Sequence, residues 1–381
     1  MRLRVVSIVI VAFLAGIGSL STPGFYPPPP GGGVQINDHE FARLVESLSE
    51  PEGYFNSDNF ISNEAGYLKV LPLLDRLSIR GGVYMGVGPD QNYSYIAEIR
   101  PQLALMVDIR RQNLIEHLYY KALFALSPDR VEFVQRLFGR RIHPEGPSSG
   151  GLDIGRIVNL LEAAPHDERL AADSIREAEH LVRSWPLKLS PGDYQSIEYV
   201  ARALMEAGPD IQFTSYNRPP QSWYPTYGEL ILATDSDGHR ANYLASEERF
   251  RAIRTMHREN RIIPVVADLA GRSAMAKIAR EIRARRLEVS CFYVSNVEFY
   301  LFGRYRWNAY VQNMRALPWE PNALLIRSFS NTWHPHPASI NGFHMTTVLQ
   351  RVSSFLENEG TGRNASYWDL VTNDYIAPDV K

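Results

Sequence analysis

The chain has 381 residues, 45% hydrophobic and 22% charged, with a formal net charge of −2. That is ordinary globular composition, enough for one large domain or one domain with an insertion, and a near-zero charge argues against wholesale binding of polyanions. Cys291 is the single cysteine, so no intrachain disulfide can form and thiolate-rich metal sites are excluded.

The first segment carries an address. Met1-Arg-Leu-Arg4 is basic, Val5 to Leu20 is an uncharged apolar run, and small residues follow at Gly18, Ser19 and Ser21. Residues 1–22 therefore predict a signal peptide or membrane anchor, and an exported or membrane-anchored protein. A misassigned start site would instead leave it cytoplasmic. Residues 23–34 are a Pro/Gly linker, extended at Pro27 to Pro30 and flexible at Gly31 to Gly33. Asp38 can cap a helix through Leu48 that places Phe41, Leu44, Val45 and Leu48 on one face. Gly53 to Tyr67 is polar, aromatic and irregular, suited to a flap before a ligand or to an ordinary surface loop.

Ile79 to Arg110 is the most informative stretch. Val83-Tyr84-Met85 is β-prone and ends in Gly86-x-Gly88. A weak helical spacing follows, opened by Asp90 and carrying Ile96 and Ile99. Leu103 to Val107 is a continuous apolar run, as in a strand buried on both faces, and Asp108 closes it. Strand, glycine turn, helix, strand and terminal acid form a βαβ nucleotide-binding unit. Its glycines admit a ligand close to the backbone, the helix N-terminus offers free N–H groups, and the acid can accept from a ribose diol.

A helix from about Gln112 to Leu126 places Ile115, Leu118, Tyr119, Ala122 and Leu123 on one stripe. Residues 127–225 then break the alternation with four predicted helices, and read as a helical insertion. It carries Tyr216 to Tyr227, whose crowded aromatics suit a pocket wall or a packed crossover. The alternation resumes with a helix over Ser246–Asn260 and an apolar strand from Ile262 that ends at Asp268-Leu269. A helix over Ser273–Arg285 follows. Leu287 to Leu301 reads as strand, tip and short helix. Trp307–Met314 is helical, Ala323–Ser328 a strand, and Met345–Phe355 a strand or a helix.

Four strand tips line up along the chain: Gly86-Val-Gly88, Asp108, Asp268-Leu269 and Ser295-Asn296. This order resembles the class I S-adenosylmethionine-dependent methyltransferases. The chain is also similar to an uncharacterised bacterial family with the same glycine-turn wording. The resemblance implies an α/β fold: a Rossmann-like, doubly wound, mostly parallel sheet with a helical insertion, over residues 35–381. It implies a sheet whose last strand enters antiparallel between its neighbours. It also implies S-adenosylmethionine as cofactor, with Gly86, Gly88 and Asp90 at the methionine end, Asp108 on the ribose, and Asp268 and Leu269 at the adenine. Ser295, Asn296 and Glu298 would border the acceptor, Ser295 also counting among the cofactor-binding residues; Asn296, Glu298 and His334 are the catalytic candidates, with Tyr93 further out. Tyr84 stands where the family carries an acid, and Pro89-Asp90 where it carries the third glycine.

The function so implied is methyl transfer to an unidentified acceptor. The alternatives are a non-catalytic envelope-associated protein that kept the fold, or another nucleotide-binding Rossmann-like enzyme. A small-molecule ligand is expected, with no metal, no nucleic acid, and a membrane only through the N-terminal segment. His334, His336 and His344 are the one histidine cluster, without confirming ligand spacing. The 12 Lys or Arg against 5 Asp or Glu between Arg240 and Arg286 read as a solvated helix face.

Overall fold

Four short strands are buried along almost their whole length: β1 (Val83–Gly86), β2 (Leu103–Asp108), β3 (Ile262–Val266) and β4 (Val289–Ser295). Burial on both faces is why they read as largely apolar, without strict alternation. The computed structural model describes residues 34–143, 151–218, 221–303, 305–332 and 334–378. The expected signal or anchor segment, and the linker up to residue 33, lie outside them.

With β5 (Trp319–Ser330), β6 (Met345–Arg351) and β7 (Tyr375–Ile376), these strands form one sheet of order β3-β2-β1-β4-β5-β6-β7. The pairs from β3 through β5 are parallel; β6 is antiparallel to both β5 and β7. The protein is thus α/β with a seven-stranded, mostly parallel mixed sheet. The expectation for the last strand needs correction. The strand that enters antiparallel between its neighbours is β6; the last, β7, lies at the sheet edge. A seven-residue strand following β5 directly can pair with it as a hairpin-like return, which leaves only the edge for β7.

Fifteen α-helices are described. Before β2 come α1 (Asp38–Leu48), α2 (Leu71–Arg76) and α3 (Asn92–Ile99). Between β2 and β3 come α4 (Arg111–Leu126), α5 (Arg130–Phe138), α6 (Ile154–Ala163), α7 (Glu168–Ser184), α8 (Pro191–Ala207), α9 (Tyr227–Leu232) and α10 (Glu247–Arg258). After β3 come α11 (Ala274–Ala284), α12 (Val297–Leu301), α13 (Trp307–Ala316), α14 (Val352–Thr361) and α15 (Tyr367–Thr372). They pack as two series of neighbours, α1–α11–α13–α14 and α2–α3–α10–α4, as two-sided burial of the strands requires.

Two local expectations change. Asn37, not Asp38, caps α1 by accepting from the Glu40 N–H at 2.9 Å, and Asp38 instead accepts from Asn260. The predicted one-sided stripe on α4 is in fact all-round burial, from Asn113 to Phe124. One side of α4 meets β2 and β3, and the rest is covered by α5, α7, α8 and α10. Arg111 at its start grips Asp193 of α8 with two hydrogen bonds of 2.6 and 2.8 Å. The helical stretch after α4 therefore converts a surface helix into a central one. Among the described residues no helix is long and apolar enough to cross a membrane.

Candidate functional site

The strand order reverses between β1 and β4, and a parallel sheet leaves a crevice beyond its carboxyl ends at such a point. A cavity of about 260 Å³ lies there. Its walls take Val87 and Gly88 from just past β1, Asp108 from β2, Ala267 to Leu269 from just past β3, and Tyr293, Ser295, Asn296 and Val297 from the end of β4 and the turn after it. Five residues expected at a cofactor thus meet in one place: Gly88, Asp108, Asp268, Leu269 and Ser295. Asn296, an expected catalytic residue, joins them.

Residues 49–64 form the opposite wall by crossing the strand ends in sheet order. The Glu50 N–H donates to the Val266 carbonyl at 3.0 Å, beyond which lies the β3 tip. The Gly53 N–H donates to the Ile109 carbonyl at 2.9 Å, just past β2. Asn59 sits beside Gly88, and Glu64 accepts from the hydroxyls of Ser295 on β4 and Ser328 on β5. The irregular 53–67 stretch is thus the wall before the cavity, and its lack of periodicity follows from spanning tips instead of lying in an element. Phe213 also lines the cavity. Asp58 is held from outside by the hydroxyls of Tyr199 at 3.0 Å and Tyr216. Of the two readings of 216–227, a pocket wall or a packed crossover, the described residues fit the crossover, since none of them lines the cavity.

Both acids at the outer strand tips are neutralised. Arg110 donates to Asp108 from its backbone N–H (2.9 Å), Nε (3.0 Å) and Nη2 (2.8 Å), a two-point grip on the carboxylate. Arg306 pairs with Asp268. The Asp108-x-Arg110 spacing was the signal in sequence, since a buried acid needs a cation. Arg306 and Glu64 gave no such signal, because distant segments bring them in.

The two glycines serve different ends. Gly88 has φ +79° and lines the cavity, where only a glycine is unstrained. Gly86 does not reach the cavity. A Cβ there would meet Asn92 Oδ1 at 1.9 Å and the Tyr84 ring at 2.9 Å. Asn92 is pinned: its Oδ1 accepts from the Tyr84 hydroxyl at 2.7 Å, and its Nδ2 donates to the carbonyls of Val87 (2.9 Å) and Pro89 (2.7 Å). Tyr84 is thus part of the clasp on the turn. Gly86→Ala is expected to cost about 1–3 kcal/mol by overpacking. Urea denaturation checks this, and an unchanged midpoint would show that Asn92 gives way freely.

The family described as Domain of unknown function (DUF7790) matches residues 59–142 and 194–372. The chain belongs to that family. No curated protein matches it. The matched residues include every strand tip of the cavity together with Asn59, Glu64 and Arg306. They leave out residues 143–193, which hold α6 and α7.

The remaining candidates of this family member lie elsewhere. Asp90 is buried beneath the turn, with its carboxylate accepting from the Tyr227 hydroxyl and close to Tyr243. A helix that starts at Asn92, with Gln91 as its cap, leaves Asp90 pointing into the protein. Tyr93 donates to His117 Nδ1 at 2.7 Å, and His117 Nε2 reaches the Gly88 carbonyl at 3.0 Å. With Nε2–H as donor, the ring is a neutral prop under the glycine turn, and burial lowers its pKa to about 4. Glu298 is fully buried against Arg327 and Tyr310, away from the cavity. His334 is exposed near Trp368, and His344 stacks on Trp223 with ring centres 5.0 Å apart. His336 is buried, with Nε2 at 3.0 Å from the Val371 carbonyl.

Glu64 and Gln91 are the site residues that sequence reading missed. Burial raises the Glu64 carboxyl pKa, against the hydroxyls of Ser295, Ser328 and Tyr293, which lower it. Ser295 holds its place with φ +53°, uncommon for a residue with a side chain. Gln91 Nε2 faces the Tyr293 hydroxyl at 3.4 Å, and its Oε1 has no partner among the described residues. At the mouth Tyr54 and Tyr300 are exposed, and Phe55 packs edge-on to Tyr300 with ring centres 5.8 Å apart.

Proposed function

We propose that the cavity binds S-adenosylmethionine on a Rossmann-like sheet and that the chain transfers its methyl group to an acceptor entering past Tyr54 and Tyr300. One observation carries this reading: Gly88, Asp108, Asp268-Leu269 and Ser295-Asn296, from four consecutive parallel strands, line one cavity at the reversal of strand order. In this reading Gly88 admits the methionine end, Asp108 faces the ribose, and Asp268 with Leu269 borders the adenine. The chain contributes mainly by holding acceptor and sulfonium methyl in line, which lowers the entropic part of the barrier. Asn296 borders the acceptor.

A specific observation favours a second reading, a protein that retained the sheet without the cofactor. A carboxylate offers about four acceptor sites, and Arg110 takes three of those on Asp108. A ribose diol then finds room for about one hydrogen bond, unless Arg110 swings away.

Calorimetric titration of the purified protein with S-adenosylhomocysteine separates the two. Binding is expected, with a loss of about tenfold to a hundredfold in Asp108→Ala, as for removal of a charge-assisted hydrogen bond. No heat at high ligand concentration would leave the cofactor-free reading.

A further inference from the structure

Three acids line the cavity, and their partners differ. Asp108 has Arg110 and Asp268 has Arg306, whereas Glu64 has no cation among the described residues. Glu64 is 1% exposed, and among the described residues its carboxyl meets only neutral hydroxyls, those of Ser295, Ser328 and Tyr293. A carboxyl so placed is charge-starved: it is out of water, and its ionised form has hydroxyl donors but no cation beside it among the described residues. Gln91 adds an independent observation in the same cavity. It is 5% exposed, and its Oε1 has no hydrogen-bond partner among the described residues. The two side chains come from opposite walls, Glu64 from the crossing segment and Gln91 from the glycine turn. Tyr293 links them, since its hydroxyl faces Gln91 Nε2 at 3.4 Å and acts on Glu64.

We propose that the inner end of the cavity, between Glu64 and Gln91, is a subsite for a protonated amine. An ammonium brings the positive charge that Glu64 lacks and the N–H donors that both oxygens can accept. Neutral hydroxylic groups supply donors without charge, and anions meet a carboxyl with no cation beside it. The aromatic rings of Tyr293, Phe55 and Tyr300 in the lining suit the hydrocarbon or aryl part of such a ligand, and their faces attract the cation on its way in. The raised Glu64 pKa is consistent with an acid that is held neutral when the subsite is empty and ionises against the ammonium. This inference rests on the cavity being a ligand site, and not on which cofactor occupies it.

The test compares benzylamine, protonated at neutral pH, with benzyl alcohol, its neutral counterpart of similar shape. Binding to the full chain is measured by saturation-transfer NMR and calorimetry. Benzylamine is expected to bind about tenfold or more tightly than the alcohol, the range of a hydrogen bond to a charged partner. Glu64→Gln, which keeps the shape and can still accept from Ser295 or Ser328, should erase most of that preference. Gln91→Leu should reduce it, and serves if Glu64→Gln does not fold. Equal binding of the two probes, no binding of either, or a preference unchanged in both variants would overturn the subsite. Titration with S-adenosylhomocysteine decides the cofactor separately, so the two readings can fail independently.

Discussion

Glu298→Ala is expected to destabilise the protein by about 3–5 kcal/mol, the cost of stranding one member of a buried ion pair. Glu298 and Arg327 are 1% and 2% exposed at their side chains and form a two-point pair, with Nη2 to Oε1 at 3.0 Å. The Tyr310 hydroxyl donates to the same carboxylate at 2.7 Å, and Gln350 accepts from Arg327. The pair ties α12 to β5, so its loss leaves a guanidinium buried above Phe355 with no counter-charge. Urea denaturation of the single variant measures the loss. Glu298→Leu with Arg327→Leu should recover much of it, because replacing both charges removes the stranded one. A single variant as stable as the parent would refute the pairing. Lost activity in Glu298→Ala would accordingly report a structural fault and not a missing catalytic group.

Asp90→Asn is expected to stabilise the protein above neutrality and not in acid. Burial raises the Asp90 pKa from 3.8 to about 6, while the tyrosine hydroxyls pull it down. A group with a raised folded pKa favours the folded state through its protonated form. That contribution is complete below the unfolded value near 3.8 and is lost as pH rises through about 6. Over that window the wild type therefore gives up about 3 kcal/mol that an uncharged amide does not. Asparagine can still accept from Tyr227. Stability curves of both proteins at pH 4 and pH 7.5 should converge in acid and separate by up to about 3 kcal/mol at the higher pH. Parallel curves would mean that Asp90 ionises freely in the folded protein.

Both predictions concern residues whose sequence context pointed to a ligand. Asp90 follows the glycine turn, and Glu298 follows the fourth strand tip. Their neighbours Gly88, Ser295 and Asn296 do reach the cavity. A turn of two or three residues past a strand end rotates successive side chains in different directions, so adjacency in sequence does not assign a side chain to one face. Asp108 escaped that ambiguity because it is the last residue of β2, where the direction of the chain is set by the sheet; Asp268, two residues past β3, reaches the cavity from the turn as Gly88 does.

What the sequence determined by itself was everything carried by local pattern. The apolar run at 103–107 announced a doubly buried strand, and the stretches at 83–85, from 262 and from 287 announced strands, since period and hydrophobicity are local properties. The heptad-like spacing of α1 placed Phe41, Leu44, Val45 and Leu48 inward, and those are buried. The strand tips carrying Gly88, Asp108, Asp268 and Ser295 were legible for the same reason. Tertiary structure decided the rest. It set the antiparallel place of β6, the complete burial of α4, the route of residues 49–64 across the sheet, and the partners of each charge. Arg306 reaches Asp268 from 38 residues away, and Ser328 reaches Glu64 from 264 away. Charge compensation in a low-dielectric interior depends on distance in space, which no periodicity of the chain encodes. For that reason the sequence marks the strand tips, and only the fold shows that Glu64 lies beside them with no cation among the described residues.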